Sequence, residues 1–194
     1  MQIQCTSKSP QSRNGWTLIE LLTTVAILAI ATVFVVPQAS SGASASGQSA
    51  TRLAVTDILA AQMDAVANQE FRRIHFFLDG SGWCIEVLES SQLSTPYDAA
   101  TAQYAEDVSE SQGQNQNSYI DFTQDSRFKH ISIYLPLFDG ANPSVIFDQT
   151  GGIIAPDGSP STGGSFELQS GEHAWQVDLA PLTGKVTVLK VGSP

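Results

Sequence analysis

Between residues 16 and 36 every position but one is uncharged and most are apolar; the exception is Glu20. A helix over this run spans about 30 Å at ~1.5 Å per residue, the thickness of a bilayer's hydrocarbon core. The pattern predicts a single membrane-spanning helix whose carboxylate lies near its start. Lys8 and Arg13 precede it, which predicts a cytoplasmic N-terminus and export of the residues beyond the helix. A carboxylate inside such a segment costs on the order of 2.5–3.5 kcal/mol near the bilayer centre, so Glu20 requires a partner.

After Pro37 the pattern breaks. Residues 38–47 are Gln, Ala, Ser and Gly only, a composition that fits a hinge, although its alanines also allow a continuous exposed helix. Between 48 and 72 a helical period returns. Leu53, Ile58, Leu59, Met63, Val66 and Ala67 form an apolar stripe, with Asp57, Gln62, Asp64 and Glu70 expected on the surface. Arg72 and Arg73 come next, where a helix C-terminus favours positive charge.

The period then changes to two. Residues 74–78 and 83–88 flank Asp79-Gly80-Ser81-Gly82 and predict a β-hairpin. Residues 89–126 are polar, with Tyr97, Tyr104 and Tyr119 scattered among them and near-repetitive Gln and Asn at 111–117. They read as a surface insertion with a short helix near 99–109, serving either partner recognition or no more than a solvated loop. From Phe128 onward, runs at 131–135, 145–147, 166–168, 175–179 and 186–188 alternate between glycine-rich turns. Trp175, Val177 and Leu179 fall on one strand face.

The expected fold class is therefore α+β: a long N-terminal helix packed on a C-terminal, mainly antiparallel β domain. Four parts are expected: a leader at 1–15, a transmembrane and assembly helix at 16–37, a hinge and amphipathic helix at 38–72, and a β-rich domain at 73–194 carrying the 89–126 insertion.

Charge and cysteines narrow the function. The 194-residue chain has a formal net charge of −10. Without residues 1–15 it keeps seven basic against nineteen acidic residues, a net −12. Such a domain repels nucleic acid and anionic lipid. Cys5 lies in the leader and Cys84 stands alone beyond it, so neither an internal disulfide nor a cysteine zinc site is expected there. Cys84 reads as a small core group.

The segment Gly15-Trp16-Thr17-Leu18-Ile19-Glu20-Leu21-Leu22 resembles the processing site of type IV prepilins and type II secretion pseudopilins. In that family a short basic leader is cut after a glycine and the new N-terminal residue is methylated. The resemblance implies cleavage between Gly15 and Trp16, methylation on Trp16, and pairing of Glu20 with the N-terminal amine of a neighbouring subunit. It also implies a helix kink at Pro37. Trp16 stands where the family usually has phenylalanine. Further on, Val145-Ile146-Phe147 with Gly151-Gly152, Gly164-Ser165-Phe166-Glu167-Leu168, Trp175-Gln176-Val177-Asp178-Leu179 and Thr183-Gly184-Lys185-Val186 resemble the GspH/FimT pseudopilin domain. Ala61-Gln62-Met63-Asp64-Ala65 sits where that family carries an Ala-Arg-x-Glu-Ala helix motif, with Gln for Arg and Asp for Glu.

The expectation is a minor pseudopilin of a type II secretion system. It would be a single-pass inner-membrane protein with its β domain in the periplasm, partnered by other pseudopilins, by prepilin peptidase and methylase, and by inner-membrane lipid. A FimT-like minor type IV pilin, including one used in DNA uptake, is the related alternative. Lys185 and Lys190 are the only tail cations it would offer to DNA. A different alternative treats Lys8 and Arg13, residues 21–36 and Ala43-Ser44-Ala45 as a secretory signal, releasing a soluble periplasmic binding protein after Ala45.

No enzyme motif is present. His75, His130 and His173 lie far apart with no metal-ligand spacing, and nothing local poises a nucleophile. Asp139-Gly140-Ala141-Asn142, Asp148 and Asp157-Gly158 carry carboxylates, but their spacing matches no calcium loop and suits ordinary turns. No cofactor and no metal are expected.

Overall fold

The computed structural model describes residues 17–106, 117–128 and 130–192, with backbone alone for 31–43 and 135. It comprises two compact units, Met1–Ser40 and Ser41–Pro194. Helix α1 is Leu18–Asn68. Among the described residues nine strands come after it: β1 (Phe71–Phe76), β2 (Gly82–Leu88), β3 (Tyr119–Asp121), β4 (Ile131–Phe138), β5 (Ser144–Phe147), β6 (Ile153–Ile154), β7 (Gly164–Ser170), β8 (His173–Leu179) and β9 (Val186–Val191).

The strands form two antiparallel sheets, ordered β3-β2-β1-β5-β6 and β4-β7-β8-β9. In the first, Ile74 faces Ile85 and Val145, and Phe76 faces Trp83. In the second, Phe166 faces Val177 and Leu168 faces Trp175. Phe76 joins the layers, its ring centroid 4.6 Å from that of Phe166 and 5.8 Å from that of Phe138.

The part of α1 in the second unit meets this core through Ala50, Ala54, Ile58, Ala61 and Ala65, all buried. Their spacing of three or four keeps them on one face. Four of the five are alanines, which lets the helix backbone come close to the sheets. Gly47 shows how close: a Cβ there would lie 2.1 Å from a ring carbon of Trp175. The helix ends at Gln69, whose φ of 57° is the left-handed conformation that closes many helices. Gln62 then fixes two turns, its amide donating to the carbonyls of Gly151 and Thr183. Between those turns, Gly184 (φ 60°) sits where a Cβ would press on Ile153 and Phe147.

Several expectations are corrected. The fold is mostly β, nine antiparallel strands in two sheets, rather than a long helix with a membrane-spanning half packed on a β domain. Among the described residues no helix is long and apolar enough to cross a membrane. The single-pass inner-membrane placement with a periplasmic domain rested on that span and is withdrawn with it.

Other differences are local. The backbone of α1 stays helical through 38–47, and Gly47 is a packing residue rather than a weak point. Arg72 and Arg73 end no helix; both are buried in β1. Asp57, expected on the surface, is buried and accepts the indole N–H of Trp83. The described part of 99–109 holds a turn and isolated bridges instead of a helix.

Candidate functional site

Of the residues singled out by sequence, Glu20 lies at the start of α1. Thr17 begins it: its side-chain oxygen and its carbonyl both accept the backbone N–H of Glu20, at 3.3 and 3.1 Å. Glu20 therefore occupies the third helical position, where a carboxylate is favoured by the helix dipole and by the Thr-x-x-Glu capping pattern. Thr23 and Thr24 return their hydroxyls to the carbonyls of Glu20 and Leu21, so neither needs an outside partner.

Apart from Thr17, Thr23 and Thr24, the side chains around this carboxylate are apolar. Leu18 is 82% exposed, and Ile19, Leu21, Leu22, Val25, Ile27, Leu28 and Ile30 are all more than half exposed. So much exposed apolar surface on one helix is stable in water only when something covers it. Gly15 and Trp16 lie outside the described residues. Pro37 lies within α1, whose helical span continues across it, and its side chain is also outside them.

A second concentration of unusual groups lies on the face of the first sheet opposite α1. Arg73 in β1 pairs with Glu86 in β2, both buried, and donates to the Thr95 carbonyl at 2.6 Å. His75 stacks on Tyr97 with ring centroids 4.1 Å apart, and its Nδ1 is 2.8 Å from the Ser144 hydroxyl. Tyr97 bonds to Tyr104 at 3.1 Å. Residues 93–104 are thus fastened across the sheet, and the scattered tyrosines were the signal for it. Beside them opens a cleft of about 900 Å³, lined by His75, Phe77, Tyr97, Tyr119 and Asn142 among others.

The chemistry of this cleft is quiet at neutral pH. Burial, helped by the Arg73 charge, lowers His75 to about 4, so its imidazole is neutral. Burial pushes Cys84 up to about 12 and raises Tyr97 and Tyr119, keeping thiol and phenols protonated. Cys84 is fully enclosed and acts as a small core group.

The remaining candidates do not converge. Asp139 accepts from Ser161 and Thr162, Asp148 from Thr150 and Gly152, and Asp157 from Ser159. Asp148 and Asp157 each serve their own turn, and Asp139 ties its turn to the segment before β7. Among the described residues no group of three or more His, Cys, Asp or Glu is placed to hold a metal. His130 is exposed, and His173 lies edge-on to Trp175 at 6.0 Å. Comparison with protein-family models, curated proteins and solved structures finds no match for this chain.

Proposed function

We propose that this chain is a structural subunit of a pilin-like filament, a minor pseudopilin of a protein-export machine of the type II secretion kind. One observation carries the reading: over residues 18–30 of α1, Glu20 is the one charged group, set in the first turn among eight exposed large apolar side chains. Packing such helices together removes apolar surface from water at roughly 25 cal/mol per Å². It also encloses the carboxylate, which is tolerable only beside a positive partner. Cleavage after Gly15 creates that partner, an amine on Trp16, which a neighbouring subunit brings to Glu20. The protein is in this account acted on by a peptidase and a methylase and catalyses nothing itself. Its acidity sets it apart from a DNA-uptake pilin.

A second reading is favoured by a different observation. The first buried residue in the described part of α1 is Gly47, so cleavage after the exposed Ala45 leaves every helix residue of the core in place. That product is a secreted binding protein. The N-terminal sequence and mass of the mature protein decide between them. Methylated Trp16 at the first position supports the filament subunit, and Ser46 or Gly47 there supports the secreted one. Co-purification with sister subunits then tests Glu20. Glu20→Gln and Glu20→Ala are expected to abolish it, and unchanged co-assembly overturns the filament reading.

A further inference from the structure

Strand β9 ends the second sheet, and among the described residues nothing pairs with its outer side. The Ala180 N–H donates to the Lys185 carbonyl at 3.0 Å, and the pairing of Leu179 with Val186 continues from there. Antiparallel ladders alternate bonded and non-bonded pairs, so Thr187, Leu189 and Val191 spend their backbone groups on β8. Val186, Val188 and Lys190 turn theirs outward. Val188 (41% exposed), Leu189 (53%) and Val191 (36%) add apolar surface along this edge.

Natural sheets protect such edges with charge, most often a lysine held over them. Lys190 does not serve that purpose here, because its ammonium lies back over the Trp175 ring, 5.9 Å from the centroid. The charge pattern identifies the partner. The described cations are Arg52, Arg72, Arg73, Arg127, Lys185 and Lys190. Arg72 is paired with Asp64 and Glu70, Arg73 with Glu86, and Arg127 with Asp125. Lys185 and Lys190 flank the open strand, on a chain whose net charge is −10. On the neighbouring strand, the Asp178 carboxylate opposite Thr187 is occupied by the Gln176 amide.

We propose that β9 is a strand-addition site, taking an extended segment of another protein that carries acidic residues beside alternating apolar ones. Main-chain bonds to Val186, Val188 and Lys190 supply affinity, and Lys185, joined by Lys190 as its ammonium swings off the Trp175 ring, selects the acidic sequence. Self-pairing of two β9 edges is disfavoured, since it gathers both lysine pairs in one interface. The proposal is independent of whether the chain builds a filament.

The test uses the full chain and a fluorescent synthetic peptide of alternating valine and threonine carrying two glutamates, beside a counterpart with two lysines. The glutamate peptide is expected to bind at least tenfold tighter at low salt, and to slow hydrogen exchange at Val186, Val188 and Lys190. Val188→Pro removes an outward N–H, a change an edge strand tolerates, and is expected to abolish binding without altering the unfolding midpoint. Should that variant unfold, Lys185→Glu combined with Lys190→Glu tests the same site, and is expected to invert the peptide preference. Equal binding of both peptides, protection elsewhere, or a chain that already pairs with itself through β9 overturns the proposal.

Discussion

The indole N–H of Trp83 donates to the Asp57 carboxylate at 3.0 Å, tying β2 to α1 inside the core. Both side chains are buried, so losing Asp57 leaves the Trp83 indole N–H without its acceptor, and losing Trp83 takes a donor from the Asp57 carboxylate. Asp57→Ala and Trp83→Phe are each expected to cost about 2–3 kcal/mol in urea unfolding. The double variant should cost less than the two combined, with a coupling of ~1–3 kcal/mol. Additive losses would show that the bond carries no stability of its own.

Gly47 reverses a familiar rule. Glycine to alanine inside a helix ordinarily stabilises by roughly 0.5–1 kcal/mol. Here the added methyl meets Trp175, so Gly47→Ala is expected to lose about 1–3 kcal/mol. Gln48→Ala, one position on and exposed, should stay within about 0.5 kcal/mol. Thermal unfolding of the two variants side by side is the check.

The buried pair of Arg73 and Glu86 holds the polar segment in place through Thr95. Arg73→Met leaves Glu86 enclosed without its counter-charge, at an expected cost of about 3–5 kcal/mol. It should also open 93–104 to limited proteolysis, with mass spectrometry locating the cuts. Adding Glu86→Leu is expected to restore stability but not protease resistance, because the Thr95 carbonyl still lacks its donor.

Stability should fall at both ends of the pH scale for identifiable reasons. His75 titrates near 6.5 when unfolded and at about 4 when folded. The unfolded chain therefore binds more protons between those values, and stability is lost as pH falls through that window. The shift corresponds to ~3 kcal/mol at 1.36 kcal/mol per unit, reduced to about 1–2 by the ring's remaining access to water. At the alkaline end Cys84, held protonated up to about 12, withdraws stability as pH rises past its ordinary value near 9. Urea midpoints against pH should flatten on the acid side in His75→Phe and on the alkaline side in Cys84→Val.

The strands were legible because their alternation is local. Trp175, Val177 and Leu179 point one way in the sequence and in the sheet. The helical residues that matter were not, since polarity alone sent Asp57 and Gln62 to the surface, while their partners Trp83, Gly151 and Thr183 lie 26 to 121 positions away. Arg72 and Arg73 were misplaced because carboxylates on neighbouring elements, Asp64 and Glu70 for one and Glu86 for the other, allow two adjacent arginines to be buried in a strand. Tyr97 and Tyr104 stood out in the polar composition of 89–106, but their partners, His75 and each other, follow only from the sheet beneath. Glu20 stood out without any tertiary information, as one charge in an apolar run, whereas the membrane span drawn from that run is corrected.

The strand order of the first sheet has a consequence for biosynthesis. β1 lies between β2, its successor in the chain, and β5, whose Ser144 meets His75 from sixty-nine positions downstream. Until the ribosome has delivered that later stretch, one flank of β1 is bare, and a nascent hairpin waits with half its ladder unzipped. Translation stalled short of β5 would therefore leave a sticky, protease-sensitive stub rather than a smaller version of the domain.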